Sequence, residues 1–175
     1  VMQGYFENRE ATDAVLKEGW LHTGDLGRID SEGRIFLVGR KKDVIIDANG
    51  KNVYPDELEE LYNKHAHIKE LSIVGLPEDS GTGERVACLC VPEYGDGKDA
   101  KDGDKPTKSR AEVRAELEQH FRDVSGSMPF YRRVKVLHFW DGTLPKTSTR
   151  KVKRKVVVEE LKRLERIAQS AAHAA

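Results

Sequence analysis

Short apolar runs alternate with amphipathic stretches along this chain, and that alternation points to strands and helices packed in layers. Apolar runs at residues 71–75 and 86–91 read as strands, separated by a loop at 77–84. Ser109 and Glu112 form a capping box. Val113, Leu117, Phe121 and Val124 follow at the spacing of one helix face. A strand is expected at about 134–140, then a helix with Val157, Leu161, Leu164 and Ala168 on one side, fraying into alanines. Upstream, residues 7–18 read as a short helix or helical turn closed by Gly19. Residues 28–29 and 34–38 form a hairpin around Asp30-Ser31-Glu32-Gly33. A strand at 44–46, an Asn49-Gly50 turn and a helix opening at Pro55 come next, the helix with Leu58, Leu61 and Tyr62 as its apolar face. Residues 94–108, rich in glycine and charge, read as an exposed, mobile loop. The expected class is α+β: a short β-hairpin plus a roughly three-stranded sheet flanked by helices.

Composition narrows the functional classes. The 175 residues are 38% hydrophobic and 34% charged, suited to a globular domain with a modest core. Thirty basic residues balance thirty acidic ones, so no global field draws the chain to nucleic acid or anionic lipid. No apolar run reaches the ~20 residues needed to cross a bilayer, and no signal-peptide pattern opens the chain. A cytoplasmic location is expected, with room for peripheral attachment to a membrane. The two cysteines, Cys88 and Cys90, fall on one face of a strand and read as buried reduced thiols. No His/Cys/Asp/Glu set has metal-ligand spacing, and His65 and His67 read as surface residues.

Three charged clusters stand at chain breaks. In Gly24-Asp25-Leu26-Gly27 a carboxylate sits between glycines, where the backbone can approach a ligand and the carboxylate can accept from a vicinal diol; Gly-Asp is also a common turn. In Gly39-Arg40-Lys41-Lys42-Asp43 the three cations cannot all pair with Asp43, and Arg40 could fork onto polyol or phosphate oxygens. Residues 144–155 (LPKTSTRKVKRK) present lysines on a loop held by proline and hydroxyl residues. A lysine there suits charge developing between a carboxylate and a phosphate. The same run could be a basic patch or a soluble helix start.

The order and spacing of the three clusters resemble the closing third of the adenylate-forming superfamily, which holds acyl-CoA synthetases, peptide-synthetase adenylation domains and luciferases. The motifs are Gly19-Trp20-Leu21-His22-Thr23-Gly24-Asp25, then Gly33-Arg34 through Gly39-Arg40-Lys41-Lys42-Asp43, then Leu144-Pro145-Lys146-Thr147 with Lys151. Asn49-Gly50-Lys51-Asn52-Val53-Tyr54-Pro55 looks most like the long-chain fatty acyl-CoA synthetases.

The resemblance implies roles. Asp25 would hold the ribose hydroxyls of ATP, with Arg40 assisting. Lys42 would be the hinge about which a small domain rotates between two half-reactions. Lys151 would be the catalytic lysine of adenylation, and Gly50, Lys51 and Asn52 would contact coenzyme A. Arg150 stands where the family often has glycine. Residues 1–38 would be the tail of a large AMP-binding domain, 39–43 the hinge region, 44–165 the mobile domain and 166–175 a frayed tail. The implied partners are that N-terminal domain, ATP with Mg2+, coenzyme A, and a fatty or other carboxylic acid. On this reading the chain is a fragment of an acyl-CoA ligase, inactive alone. The alternatives are a fatty acyl-AMP ligase feeding a carrier protein, and a basic interaction module.

Overall fold

The computed structural model describes residues 2–78, 81–94 and 108–173. The chain divides into two compact units, Val1–Asp43 and Val44–Ala175.

The first unit opens with α1 (Arg9–Val15), capped by the Asn8 side chain on the Ala11 N–H. The helix stops earlier than residues 7–18 suggest. Leu16–Lys17 (β1) instead pairs antiparallel with Trp20–Leu21 (β2). Glu18 and Gly19 lie between them with φ of 52° and 81°, which suits the tight turn of a two-residue hairpin. A second hairpin joins β3 (Asp25–Ile29) to β4 (Ile35–Arg40). Asp30 organises its turn, accepting the N–H groups of Glu32 and Arg34 at 2.9 Å each. Ile29, Ile35 and Leu37 on this hairpin are each more than 70% exposed. A 3₁₀ turn, Lys41–Asp43, ends the unit.

The second unit is a three-layer α+β fold, as the alternation of runs predicts. Its sheet has the order β7 (Ile68–Pro77), β8 (Glu84–Pro92), β9 (Val136–Phe139). β7 and β8 are antiparallel; β8 and β9 are parallel. Before the sheet, β5 (Ile45–Ile46) and β6 (Asn52–Val53) flank the Asn49-Gly50 turn. The helix α2 (Pro55–Tyr62) begins at Pro55 as expected, while α3 (Arg110–Gly126) and α4 (Arg154–His173) follow the sheet's second and third strands.

The alternation along β8 sorts its side chains between two cores. Val86, Cys88 and Cys90 join Ile73, Leu58, Tyr62, Leu117 and Phe121 under α2 and α3. Ala87, Leu89 and Val91 join Val74, Leu76, Val157 and Leu161 under α4. The larger aliphatic and aromatic side chains among them each contribute about 1.5–3 kcal/mol by leaving water. Both thiols are free and buried, and burial pushes the Cys90 thiol up to about 12 and Cys88 well above its ordinary value. They stay neutral and inert. Ser109 and Glu112 make the reciprocal capping box at the start of α3, with Val113, Leu117 and Phe121 buried below.

Three expectations need correction. Leu61 is 37% exposed, so α2 seats Leu58 and Tyr62 in the core without it. His65 and His67 are half-buried rather than surface residues: the His65 ring centroid lies 5.7 Å from His67 and 4.9 Å from His120. The alanine-rich end, read as frayed from residue 166, continues α4 to His173. Of the expected loop 94–108, residues 95–107 lie outside the described residues. Tyr94 is buried, with its hydroxyl 3.0 Å from Asp141 Oδ1.

Candidate functional site

The sequence-predicted site residues fall on both units. On the first, Asp25 and Arg40 face each other across β3 and β4. A regular ladder from the Ile29–Ile35 pair would set Asp25 opposite Gly39. The ladder shifts between Leu26 and Gly27, leaving Val38 unpaired, and the resulting bulge brings Asp25 opposite Arg40. Arg40 Nε lies 3.0 Å from Asp25 Oδ1. With side chains 30% and 45% exposed, this pair adds little stability and mainly fixes orientation. The Asp25 N–H is held by Thr23 Oγ1 at 3.1 Å, and the Lys41 N–H by the Gly24 carbonyl at 2.9 Å. Asp25 Oδ2 makes no hydrogen bond among the described residues, so it can accept from a hydroxyl. Lys42 follows in the 3₁₀ turn, exposed, and the unit ends one residue later.

On the second unit, Lys151 sits on a tight hairpin. The Thr147 N–H donates to the Lys151 carbonyl at 2.8 Å, the Lys151 N–H to Thr147 Oγ1 at 3.1 Å, and the Lys153 N–H to the Pro145 carbonyl at 2.8 Å. Lys146 and Val152 bridge across the hairpin. Arg150 occupies the left-handed region, φ 62°, where glycine is free of strain and other residues lose about 1–2 kcal/mol. Lys151 is exposed, and its ammonium has no partner among the described residues. Two neighbouring cations are committed elsewhere. Lys146 pairs with Glu70, and Arg154 with Asp56 and Glu59.

Arg154 and Glu59 fix the start of α4. Glu59 also accepts the Ile73 N–H at 2.8 Å, so it joins α2, β7 and α4. Burial raises the Glu59 carboxyl above its ordinary value even though Arg154 and the Ile73 N–H pull it down. The two carboxylates outweigh burial at Arg154 and raise its pKa further. Glu59, Glu70 and Arg154 are structural supports that the sequence alone does not single out. A carboxylate interrupting the apolar face of a short helix was the available signal for Glu59.

Gly50, Lys51 and Asn52 lie on and beside a turn built by Asp47. The buried Asp47 accepts the Lys51 N–H at 2.7 Å and the Asn49 N–H at 3.0 Å. The Lys51 N–H leads a set of bonds that keep its carboxyl below the ordinary range. Gly50 has φ 74°. Lys51 Nζ lies 4.6 Å from the Tyr131 ring centroid, a cation–π distance. The turn rests on a second one: a Cβ at Gly83 (φ 75°) would lie 2.5 Å from the Ala48 nitrogen, and the Ile46 N–H donates to Glu84 at 3.2 Å. Asp47-Ala48-Asn49-Gly50 carries the side-chain-to-backbone signature of such turns, but its support by Gly83 is tertiary.

A groove of about 840 Å3 between α3 and β9, lined by Arg114, Phe130, Arg133 and Lys135 among others, contains none of these residues. Among the described residues, no group of three or more His, Cys, Asp or Glu side chains could hold a metal ion. No helix among them is long and apolar enough to cross a membrane.

The second unit is thus a three-layer α+β domain with an exposed lysine on a hairpin, and the first a short unit with a carboxylate–guanidinium pair. Residues 57–151 match the AMP-binding enzyme C-terminal domain, and the chain belongs to that family. It is 38% identical over 160 residues to a long-chain-fatty-acid–CoA ligase of Bacillus subtilis (91% of this chain, 25% of the relative). It is 32% identical over 162 residues to 4-coumarate–CoA ligase-like 1 of Arabidopsis thaliana (92% and 26%). Its fold is similar to ATP-bound MatB from Rhodopseudomonas palustris, TM-score 0.67 at 27% identity, covering 93% of this chain and 28% of that one. The chain thus spans about a quarter of the length of the curated relatives it matches.

Proposed function

We propose that this chain is the C-terminal part of an ATP-dependent acyl-CoA ligase, and that Lys151 is its adenylation lysine. The observation that carries this reading is the Lys151 ammonium itself: exposed, without a partner among the described residues, and carried on a backbone held in a closed hairpin. In the first half-reaction a carboxylate oxygen attacks the α-phosphorus of ATP. The new O–P bond forms as the bond to pyrophosphate breaks. Two anions must meet, and a cation placed between them stabilises the transition state more than the separated reactants. In the second half-reaction the sulfur of coenzyme A attacks the acyl carbon. The C–O bond to AMP breaks and the thiol proton leaves to solvent.

Asp25 is assigned to the ribose hydroxyls, through an oxygen that Arg40 leaves free. Lys42 is assigned as the pivot, on the grounds that it lies in the last turn of the first unit. Rotation there would withdraw Lys151 and bring Gly50, Lys51 and Asn52 to coenzyme A. The exposed Ile29, Ile35 and Leu37 suit burial against a larger N-terminal AMP-binding domain. That domain is assigned the phosphates of ATP with their Mg2+, for which the described residues offer no ligand cluster.

The acid is proposed to be a long-chain fatty acid, on the name of the Bacillus relative. The Arabidopsis relative, named for coumarate, keeps aromatic acids in the comparison. The test is pyrophosphate release by the full-length protein carrying this chain, with short-, medium- and long-chain acids and coumarate, each titrated with coenzyme A. Long-chain acids should give the highest kcat/KM, with saturable thioester formation. Absence of acid-dependent pyrophosphate release would remove the ligase reading. Acyl-adenylate that forms but ignores coenzyme A would indicate a carrier-protein acceptor.

A further inference from the structure

The hairpin that carries Lys151 is tied to the sheet at its base by one carboxylate. Glu70, on β7, accepts the Leu144 N–H at 3.0 Å through Oε1 and pairs with the Lys146 ammonium through Oε2. Leu144 is 2% exposed and seated in the core under α4, so it anchors the incoming strand of the hairpin. Lys146 lies two residues further along and bridges Val152, the residue after Lys151. Glu70 therefore grips the hairpin at two points, one backbone and one side chain, on the strand opposite Lys151. Burial works to raise the Glu70 carboxyl, but the Lys146 and Leu144 bonds more than offset it, so it is ionised at neutral pH.

We propose that Glu70 is a positioning residue for Lys151: it holds the base of the hairpin in one orientation and neutralises Lys146, leaving Lys151 to meet the reacting anions. The proposal rests on the adenylation role assigned to Lys151. Without Glu70 the Leu144 N–H loses its acceptor and the Lys146 ammonium is released a few residues from the catalytic lysine. Polar ties of this kind set direction more than stability, and a displacement of about 1 Å at a reacting group can cost about a hundredfold in rate.

The test uses the full-length ligase carrying this chain, with Glu70→Ala, Glu70→Gln, Lys146→Met, the Glu70→Ala/Lys146→Met double variant, and Lys151→Ala as reference. Acid-dependent ATP–pyrophosphate exchange reads adenylation; thioester formation from preformed acyl-adenylate reads the second step. Glu70→Ala should lower kcat for exchange about ten- to a hundredfold, with KM for ATP and acid within about twofold and the second step unchanged. Glu70→Gln keeps an acceptor for the Leu144 N–H and should recover most of the rate. The double variant should be no slower than Glu70→Ala. If Glu70→Ala does not fold, Lys146→Met carries the test with the same split between half-reactions. Wild-type exchange in Glu70→Ala and Lys146→Met, or equal loss in both half-reactions, would overturn the proposal while Lys151→Ala remains inactive in exchange. Normal exchange by Lys151→Ala would instead remove the adenylation reading itself, and this proposal with it.

Discussion

Arg154 Nη2 lies 3.0 Å from each carboxylate oxygen of Glu59, across 95 residues of sequence. This contact fixes where α4 begins, three residues after Lys151. Glu59 is only 25% exposed, so its charge depends on Arg154 and the Ile73 N–H. Breaking a fully buried pair costs about 3–5 kcal/mol; partial exposure here brings the expectation for Arg154→Ala to about 2–4 kcal/mol. Chemical denaturation should show a lower midpoint at unchanged slope, the shift multiplied by the slope giving that free energy. Arg154→Lys, a single-point charge, should recover only part of it.

Arg150 carries a left-handed backbone at φ 62° one residue before Lys151. Arg150→Gly should relieve that strain and stabilise the hairpin by about 1 kcal/mol. Thermal unfolding of the variant checks it. A lower melting temperature would mean that the Arg150 side chain contributes more than its backbone costs.

Gly83 supports the Asp47–Lys51 turn at a distance no side chain tolerates. Gly83→Ala should destabilise the second unit by about 1–3 kcal/mol, from positive φ and contact with Ala48 together. In the full-length protein carrying this chain, the coenzyme A role proposed for Gly50, Lys51 and Asn52 predicts a raised KM for coenzyme A with ATP–pyrophosphate exchange intact. Steady-state kinetics of the two half-reactions separates these effects.

His65 provides a pH signature. Burial, His120 and His67 hold its pKa below the ordinary 6.5, and Lys108 adds to this against Glu116. The folded state then holds fewer protons than the unfolded one. The stability contribution is complete above 6.5 and declines as pH falls through that value toward the lower folded one. The melting temperature should fall between about pH 8 and pH 5, and His65→Asn should flatten that fall. Glu70 and Asp47, held below their ordinary 4.5 and 3.8, lose their contributions only at lower pH.

Much of this architecture is legible in the sequence because its causes are local. The capping box at Ser109 and Glu112 needs only four consecutive residues, and the alternation through Cys88 and Cys90 needs six. The Asp30 turn likewise carries its own hydrogen bonds. Windows fail where partners are distant. Leu61 fits the period of α2, yet the helix turns Glu59 toward the sheet, because Ile73 and Arg154 satisfy its carboxylate from 14 and 95 residues away. The two-residue strands β1, β2 and β6 are too short to leave a periodic trace. At the site, Asp25, Arg40 and Lys151 stand out through the resemblance of their three clusters, in order, to the adenylate-forming superfamily. The bulge at Val38, the Glu70 tie and the Gly83 support do not, since each is a contact rather than a pattern.

The adenylation role of Lys151 is tested most directly by acid-dependent ATP–pyrophosphate exchange in the full-length ligase bearing Lys151→Ala. Exchange should fall by at least about a hundredfold, with KM for ATP within about twofold and thioester formation from preformed acyl-adenylate preserved. Exchange at close to the wild-type rate would contradict the account.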